Sequence, residues 1–310
     1  NEIILDRFLS EIKYVSGIEV AGAYTPLDAV DSKYKSIRFH QFPLYRTYAS
    51  LLEDVDAVYI NAPLKLRDNL IEEALVQGKH VLTEFPFSLN YQKAKEFVKV
   101  ASEKSLVLME GLKTAYCPAF GKMISLVKSG RIGKILSIEA NFTQILGDDL
   151  PNQVRIAGGS VASLGAYPLL VVFKLLGYNY KNIEFITHQE NGIDTMTRMN
   201  FVYDGAIATS LVAINAKAEG ALTISGTKGY VYVPAPWWKT EYYELRYEDI
   251  NNNSKFFYKF EGEGLRYEII EFIKRIKDNN MMAGSLTCMD MLAESKVIDC
   301  FMKDKYNVPF

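Results

Sequence analysis

The feature that most constrains the fold is an alternation of two hydrophobic periods in the N-terminal half of the chain. Apolar runs at residues 57–61, 80–83 and 106–109 have the length of buried strands, and amphipathic stretches of helical period separate them. Gly78 and Asn90 stand where one of these helices ends and the next begins. Strands that alternate with helices predict a parallel sheet that is covered on both faces.

The residues upstream of this pattern add two helices and one strand. Residues 3–15 place apolar side chains at helical spacing, and Gly17 ends that helix. Residues 18–24 form a short β-rich run, and a further helix is expected at residues 45–52. Because the sequence opens inside a helix, we expect the first strand of the sheet to be missing from it and to be carried by upstream residues.

After residue 117 the pattern changes to closely spaced β-rich runs. The turns Asp204–Gly205 and Thr227–Lys228–Gly229 predict hairpins, and such short connections join antiparallel neighbours. The β-rich runs are at residues 184–188, 196–203, 206–214, 221–225, 230–233 and 242–246. Further helices are expected at residues 119–128, 161–176, 265–277 and 287–303. The sequence therefore predicts two domains: a Rossmann-like doubly wound parallel sheet at residues 1–117, and an α+β domain with a large, mostly antiparallel open sheet at residues 118–310.

Composition excludes several classes of protein. The net charge of −2 gives no electrostatic basis for binding nucleic acid. The longest apolar stretch, residues 166–173, is far shorter than a bilayer span, so we expect no membrane association. The three cysteines are odd in number and far apart, which favours a reducing, cytoplasmic location. The three histidines are isolated from one another and from the cysteines, so no metal site is expected.

Ligands of a doubly wound domain bind at the carboxyl ends of the strands. The loops to consider therefore begin at Thr25, Asn61, Glu84 and Glu110. Prolines after two of these strand ends would make a rigid floor beside a ligand; alternatively, they simply stop the strands.

Several motifs of these loops occur together and in order. Asp56–Ala57–Val58–Tyr59–Ile60–Asn61–Ala62–Pro63 is followed by Gly78–Lys79–His80–Val81–Leu82–Thr83–Glu84–Phe85–Pro86. Later matches are Glu110–Gly111, residues 130–135, Gly158–Gly159, residues 164–168, residues 226–229 and Pro236–Trp237–Trp238. In this pattern the whole chain resembles the Gfo/Idh/MocA family, which includes glucose–fructose oxidoreductase and inositol dehydrogenase. It is most similar to the dihydrodiol-dehydrogenase-like branch.

The resemblance implies an NAD(P)-dependent oxidoreductase that moves a hydride between nicotinamide and a secondary alcohol or ketone of a sugar-like substrate. It also implies a homodimer formed through the C-terminal sheet. Carried over to this sequence, the contacts to the cofactor are Thr25, Asn61, Ala62, Pro63, Glu84, Pro86 and Glu110. Thr25 is neither an acid for a ribose hydroxyl nor an arginine for a phosphate, so the sequence does not choose between NAD and NADP.

The sequence departs from the family at its catalytic positions. The family has a lysine between the glutamate and proline of Glu84–Phe85–Pro86, and an aspartate four residues before Tyr167; here these positions hold Phe85 and Ser163. Phenylalanine transfers no proton, and a serine hydroxyl does not replace a carboxylate. Tyr167 is thus the candidate acid and base, and the alternative is an ordinary tyrosine on an apolar helix.

Lys113 is a second catalytic candidate. It follows the strand at residues 106–109, where family members line the nicotinamide pocket. A positive charge there is expected to lower the pKa of Tyr167 and so make it a usable acid and base at neutral pH. The alternative is that Lys113 is a solvated surface charge.

The phosphate site of the family lies on a glycine-rich turn between the first strand and first helix, and the sequence does not contain it. Trp237 and Trp238 form an aromatic cluster that would stack on a substrate, seal a dimer or pack in the core. The departures leave two alternatives to an active enzyme: a family member that binds a ligand without turnover as a sensor or regulator, and a purely structural subunit.

Overall fold

Two sheets organise the chain, a parallel one in the N-terminal part and a larger one after it. The computed structural model describes residues 2–25, 42–147, 154, 158–278, 284–303 and 307–309. Its helices are α1 (Glu2–Ile12), α2 (Tyr48–Asp54), α3 (Leu64–Val76), α4 (Tyr91–Glu103), α5 (Lys113–Tyr116), α6 (Pro118–Lys128), α7 (Ser160–Leu164), α8 (Ala166–Leu176), α9 (Leu265–Lys277) and α10 (Cys288–Met302). Its strands are β1 (Ala57–Ile60), β2 (His80–Glu84), β3 (Leu108–Gly111), β4 (Ile135–Thr143), β5 (Asn182–Glu190), β6 (Ile193–Val202), β7 (Ile207–Ala213), β8 (Leu222–Gly226), β9 (Tyr230–Val233), β10 (Tyr242–Arg246), β11 (Ser254–Phe257) and β12 (Asn307–Pro309).

The first sheet has the order β1-β2-β3, and all its pairs are parallel. The crossovers are α3 and α4, and the side chain of Asn90 caps α4 by accepting from the backbone N–H groups of Gln92 and Lys93. Parallel strands joined through helices end at the same edge, so the residues after β1, β2 and β3 meet there.

The segment before this sheet differs from the prediction. Residues 18–24 do not form a strand; their one ladder contact is an isolated bridge between Ala23 and Leu44. Instead, α1 packs near β1, where the ring of Phe8 stacks on that of Tyr59 with centroids 3.8 Å apart. A strand needs a neighbour to satisfy its backbone groups, and the β-rich composition of residues 18–24 alone does not supply one.

The second sheet has nine strands in the order β11-β10-β9-β8-β4-β7-β6-β5-β12. The hairpin predicted at Asp204–Gly205 joins β6 to β7, and the turn at Thr227–Gly229 joins β8 to β9. Most pairs are antiparallel, as predicted, but β4 pairs in parallel with β7 and β12 in parallel with β5. The prediction missed β4, β11 and β12. The predicted fold class is confirmed.

The C-terminal helices return to the first sheet. α9 packs against α1, α5 and β3, and α10 packs against α4 and β3. α7 and α8 cover the second sheet, where they contact β6, β7 and β4. The edge at which β1, β2 and β3 end is therefore lined by residues from both halves of the chain. Among the described residues, no helix is both long and apolar enough to cross a bilayer.

Candidate active site

A buried arginine holds the ends of β1 and β2 together. The guanidinium of Arg67, from α3, donates to the backbone carbonyls of Ala62 at 2.8 Å, Glu84 at 3.1 Å and Pro86 at 2.6 Å. Arg67 is 4% exposed, although burial of a charge is costly. Its three bonds fix the two loops that carry Asn61 to Pro63 and Glu84 to Pro86.

Glu84 lies at the end of β2, next to Tyr59. Its carboxylate accepts a hydrogen bond from the hydroxyl of Tyr59. Burial raises the pKa of Glu84, against the hydrogen bond from Tyr59 and the positive charges of Arg67 and Lys113. Asn61, Ala62 and Glu84 remain half-buried, so they border the accessible part of this edge.

Glu110, at the end of β3, points inward instead. One of its oxygens accepts from the backbone N–H of Phe87 at 2.8 Å, and its carboxyl lies against that of Glu294 from α10. Both side chains are 1% exposed. Burial raises the pKa of Glu110 to about 7, and burial with the nearby Glu110 raises that of Glu294 well above its ordinary value. Neither oxygen of Glu294 has a hydrogen-bond partner among the described residues, so we infer from burial and proximity that the two carboxyls hold one proton between them.

The shared proton makes stability depend on pH. Because the folded pKa of Glu110 is about 7 and its ordinary value is 4.5, the pair contributes stability that is fully present below about pH 4.5 and lost as the pH rises through 7. Glu294→Gln removes the carboxyl whose pKa is raised by burial and by Glu110, so we expect it to be more stable than the parent at pH 8.5, by about 1 kcal/mol or more. Arg67 and Glu84 act on Glu110, and Asp290 and Lys174 act on Glu294; all four remain in the variant.

Urea unfolding of the parent and Glu294→Gln at pH 5.5 and pH 8.5 measures this effect. The difference between the two proteins should grow with pH. A difference that is the same at both pH values would mean that the pair does not share a proton.

Tyr167 stands at the start of α8 and reaches the same edge. Its ring packs edge-on against Phe142 from β4, with centroids 4.8 Å apart. Burial raises the pKa of Tyr167, and the charges of Glu84 and Glu268 add to that shift while Arg7 opposes it. The predicted lowering of this pKa by Lys113 is wrong for this structure, because burial and two carboxyls dominate the shift. The hydroxyl makes no hydrogen bond to the residues that the structure describes.

Lys113 begins α5, directly after β3, and is half-buried rather than a solvated surface charge. Burial lowers its pKa, and the positive charges of Lys239 and Arg7 add to that shift, against Glu263 and Glu268. Glu268, from α9, is 0% exposed, and neither of its carboxyl oxygens has a hydrogen-bond partner within the described ranges. Burial and the charge of Glu84 raise the pKa of Glu268 well above its ordinary value, against the positive charge of Lys113.

The Gly158–Gly159 motif anchors the helix that leads to Tyr167. The carboxylate of Asp194, from β6, accepts from the backbone N–H of Val161 at 2.8 Å and from the hydroxyl of Ser160 at 2.7 Å, so it caps α7. A Cβ on Gly159 would lie 1.7 Å from the carboxylate oxygen of Asp194. Glycine at this position is therefore a requirement of the cap.

Gly159→Ala is expected to destabilise the fold by about 2 kcal/mol or more, because the new methyl group displaces the capping carboxylate. Gly121→Ala is the matched control: it lies within α6, and an added Cβ would meet nothing within 4 Å. That change should stabilise slightly, because alanine has the better helix propensity. Thermal unfolding of the two variants checks both signs. Equal melting temperatures would contradict the role of the cap.

Ser163, in the position of the family aspartate, donates its hydroxyl to the carbonyl of Gly158 at 3.2 Å. Phe85 is half-buried beside the core. At the two positions that differ from the family, Phe85 therefore packs against its neighbours and Ser163 makes a local hydrogen bond.

The structure brings most of the predicted site residues to one edge. Asn61, Ala62, Pro63, Glu84, Lys113 and Tyr167 lie there. Pro86 and Glu110 are buried behind it. Thr25 is half-buried and lies two residues beyond the bridge at Ala23.

The tryptophan cluster divides into two roles. Trp237 is 0% exposed and donates its indole N–H to the carbonyl of Asn141 at 2.8 Å, so it belongs to the core. Trp238 is half-buried and stacks on Phe142 with centroids 3.7 Å apart, which places it beside Tyr167. Among the described residues, no group of three histidine, cysteine or acidic side chains is arranged to hold a metal.

Sequence reasoning missed several residues of this region: Arg67, Asp194, Glu268 and Glu294. Each lies within a helix or strand pattern, where a charged residue usually faces solvent. Glu268 and Glu294 do sit among apolar neighbours in the helices at the end of the chain, and that position is the one signal of burial that the sequence offers.

A parallel sheet of strands joined through helices, with loops meeting at the carboxyl ends of the strands, is the architecture of dinucleotide-binding domains. Residues 7–112 match the model of an oxidoreductase family with an NAD-binding Rossmann fold, and residues 120–232 match the model of the C-terminal domain of the same family. The chain belongs to the Gfo/Idh/MocA family. The predicted family is thereby confirmed, and the NAD-binding Rossmann domain that it implied is present.

Relatives within this family act on different ring compounds. The chain is 30% identical over 189 residues to dTDP-3,4-didehydro-2,6-dideoxy-α-D-glucose 3-reductase of Actinomadura kijaniata, a match that covers 60% of this chain and 55% of that protein. It is 24% identical over 284 residues to trans-1,2-dihydrobenzene-1,2-diol dehydrogenase of Xenopus tropicalis, which covers 86% of this chain and 82% of that protein. The matched region thus spans about half the length of the A. kijaniata reductase.

The fold is also that of a solved enzyme. A 3-ketoreductase from Actinomadura kijaniata, crystallised with NADP and TDP-benzene, superimposes with a TM-score of 0.83 at 22% identity, over 100% of this chain and 97% of that one. Levoglucosan dehydrogenase with NADH and levoglucosan superimposes with a TM-score of 0.79 at 16% identity, over 96% and 92% of the two chains.

Proposed function

We propose that the protein is an NAD(P)-dependent oxidoreductase that interconverts a secondary alcohol and a ketone on a sugar-like ring. The observation that carries the proposal is the position of Tyr167, whose hydroxyl lies within electrostatic reach of Glu84 at the carboxyl edge of the parallel sheet. Relatives that reduce a dTDP-linked sugar and oxidise a cyclic diol support this reaction class.

Residues at this edge present polar groups that suit a nicotinamide ribose. Asn61 and Glu84 present polar groups beside the rigid Ala62–Pro63 floor that Arg67 fixes. The buried carboxyl of Glu268, whose oxygens have no hydrogen-bond partner among the described residues, lies next to Gly111 at the end of β3. These residues fit the nicotinamide end of the cofactor.

The cofactor, when bound, supplies or accepts the hydride. Tyr167 donates its hydroxyl proton to the substrate oxygen in the reducing direction and takes it back in the oxidising direction. Because burial raises its pKa, Tyr167 is protonated at neutral pH, which suits the reduction of a ketone. The positive charge of Arg7, which opposes the upward shift of the Tyr167 pKa, stabilises the tyrosinate that forms.

We further propose that the protein is a cytoplasmic homodimer. In β9 and β10 every second residue is buried, while Tyr230, Tyr232 and Arg246 remain half-exposed on the opposite face. The guanidinium of Arg246 lies over both tyrosine rings, an arrangement that is common at interfaces. Light scattering should give twice the chain mass of 35.1 kDa. The domain boundary near residues 117–118 stays a prediction.

The test of function has two stages. A thermal-shift titration with NAD(H) and NADP(H) should raise the melting temperature with one of the two pairs. Hydride transfer is then followed by nicotinamide absorbance with dTDP-linked keto sugars, free inositols and cyclic diols. A thermal shift without turnover of any of these would favour the sensor. No change in melting temperature with either cofactor would leave a purely structural subunit as the remaining alternative.

A further inference from the structure

Three positive side chains meet beside Tyr167, although the chain as a whole carries a net charge of −2. They are Arg7 from α1, Lys113 from α5 and Lys239 from the 3₁₀ turn Trp237–Lys239. The charges of Lys239 and Arg7 both act on Lys113, which shows that the three groups are neighbours.

One ionised carboxylate lies among them. Glu263 is 3.2 Å from the ammonium of Lys239 and 4.0 Å from the guanidinium of Arg7. Partial burial opposes ionisation of Glu263, but the hydrogen bond from Lys239 and the nearby positive charges lower its pKa overall. Two further carboxyls lie near Lys113: burial raises the pKa of Glu268 well above its ordinary value, and Glu84 lies near the positive charge of Arg67 as well. The three cations therefore outnumber the one carboxylate, Glu263, that pairs with them.

The adjacent ions do not change this balance. Arg266 pairs with Glu11 at 2.7 Å, and Lys259 pairs with Glu261 at 2.7 Å, so these four charges cancel one another. The positive excess is therefore confined to Arg7, Lys113 and Lys239, which we call the cation cluster.

The backbone that carries Lys239 is held in place before any ligand binds. The backbone carbonyl of the preceding Trp238 accepts from the hydroxyl of Thr114 at 2.6 Å, and the hydroxyl of Thr240 donates to the carbonyl of Trp237 at 2.8 Å. Since Trp237 is fully buried, the turn is anchored to the core. Because its backbone is already fixed, Lys239 loses little backbone conformational entropy when it binds an anion.

We infer that the cation cluster binds the diphosphate of a nucleotide-linked sugar, beside the hydroxyl that exchanges the proton with its ring. The inference rests on the proposed function for its placement on the substrate side of the site. A diphosphate carries two or more negative charges and several acceptor oxygens, which match a positive excess spread over three side chains. The pyrophosphate of the cofactor has the same chemistry, and competition separates the two sources.

Calorimetric titration of the full chain with dTDP, without and with saturating NADPH, tests this inference. We expect dTDP to bind in both cases and thymidine not to bind. Lys239→Met should weaken dTDP binding about tenfold or more, since a charge-assisted contact is lost. Glu263→Gln should strengthen it several-fold, because it removes the competing carboxylate. Lys181→Met is the matched control: this exposed lysine pairs with a single carboxylate, Asp204, at 3.1 Å, and its loss should change nothing.

The opposite signs of Lys239→Met and Glu263→Gln set a charge effect apart from damage to the fold, which would weaken binding in both. Absence of dTDP binding, equal binding of thymidine, or weakening by both variants would overturn the inference. Loss of dTDP binding when NADPH is present would also overturn it, because the cluster would then serve the cofactor. Hydride transfer to an uncharged ring compound, without dTDP binding, would preserve the proposed function and remove the inference alone.

Discussion

Tyr167→Phe is expected to lower kcat/KM for hydride transfer by about a hundredfold to ten-thousandfold, the usual contribution of general acid–base catalysis. The substitution removes one oxygen and keeps the ring that packs on Phe142, so the fold should be unaffected. The KM for the cofactor should also be unchanged. The measurements are kcat/KM and the melting temperature with NADP(H), for the variant and the parent.

The control for this variant is Tyr230→Phe, a tyrosine on β9, in the sheet away from the strand ends, whose hydroxyl accepts only a 3.3 Å contact from Arg246. It should keep full activity. If Tyr167→Phe also keeps full activity, the proton must come from another group at the edge. Lys113 and Glu268, whose pKa burial raises, are then the two groups to substitute next.

Glu268 bears on how the proposed reaction would proceed without the family lysine and aspartate. The resemblance implies those two groups where this chain has Phe85 and Ser163. Within the described residues, Lys113 and Glu268, from different elements, place a cation near a carboxyl whose pKa burial raises. For the proposed function, these two groups are the candidates to take the roles of the missing pair.

The sequence predicted the parts of the fold that short-range patterns determine. The alternation of β1, α3, β2, α4 and β3 follows from hydrophobic period, and each element begins or ends near the predicted residue. The strand predicted at residues 18–24 does not form. A strand forms only beside a partner strand, and the hydrophobic pattern of the sequence does not reveal whether such a partner is present. The single helix predicted at residues 161–176 is broken at Gly165, where the backbone lies too close to Val161 for a larger residue.

The candidate site was predictable where its residues follow strand ends. Asn61, Glu84 and Lys113 were found by the rule that parallel strands end at the ligand edge. The direction of the pKa shift of Tyr167 was not predictable, because it depends first on burial and then on the charges of Glu84 and of Glu268, which lies about a hundred residues further along the chain. Burial and long-range charge are properties of packing, and no local pattern encodes them.

Arg67→Met should have the largest effect on stability. The guanidinium is buried and donates to three carbonyls at the ends of β1 and β2, and methionine keeps most of the aliphatic volume but donates nothing. Three acceptors lose their partner, and the carboxyls of Glu84 and Glu110 lose the nearby positive charge of Arg67. We expect the free energy of unfolding to fall by about 3–5 kcal/mol, as measured by urea unfolding at pH 7.

The same change should weaken binding of NADP(H), because the floor at Ala62–Pro63 and the backbone of Glu84 are no longer held together. Lys65→Met is the matched control, since Lys65 lies two residues earlier on α3 and is exposed. It should change the free energy of unfolding by less than about 0.5 kcal/mol. If Arg67→Met is as stable as Lys65→Met, the strand ends are held by packing alone, and the arginine is not what builds the edge on which the proposed chemistry depends.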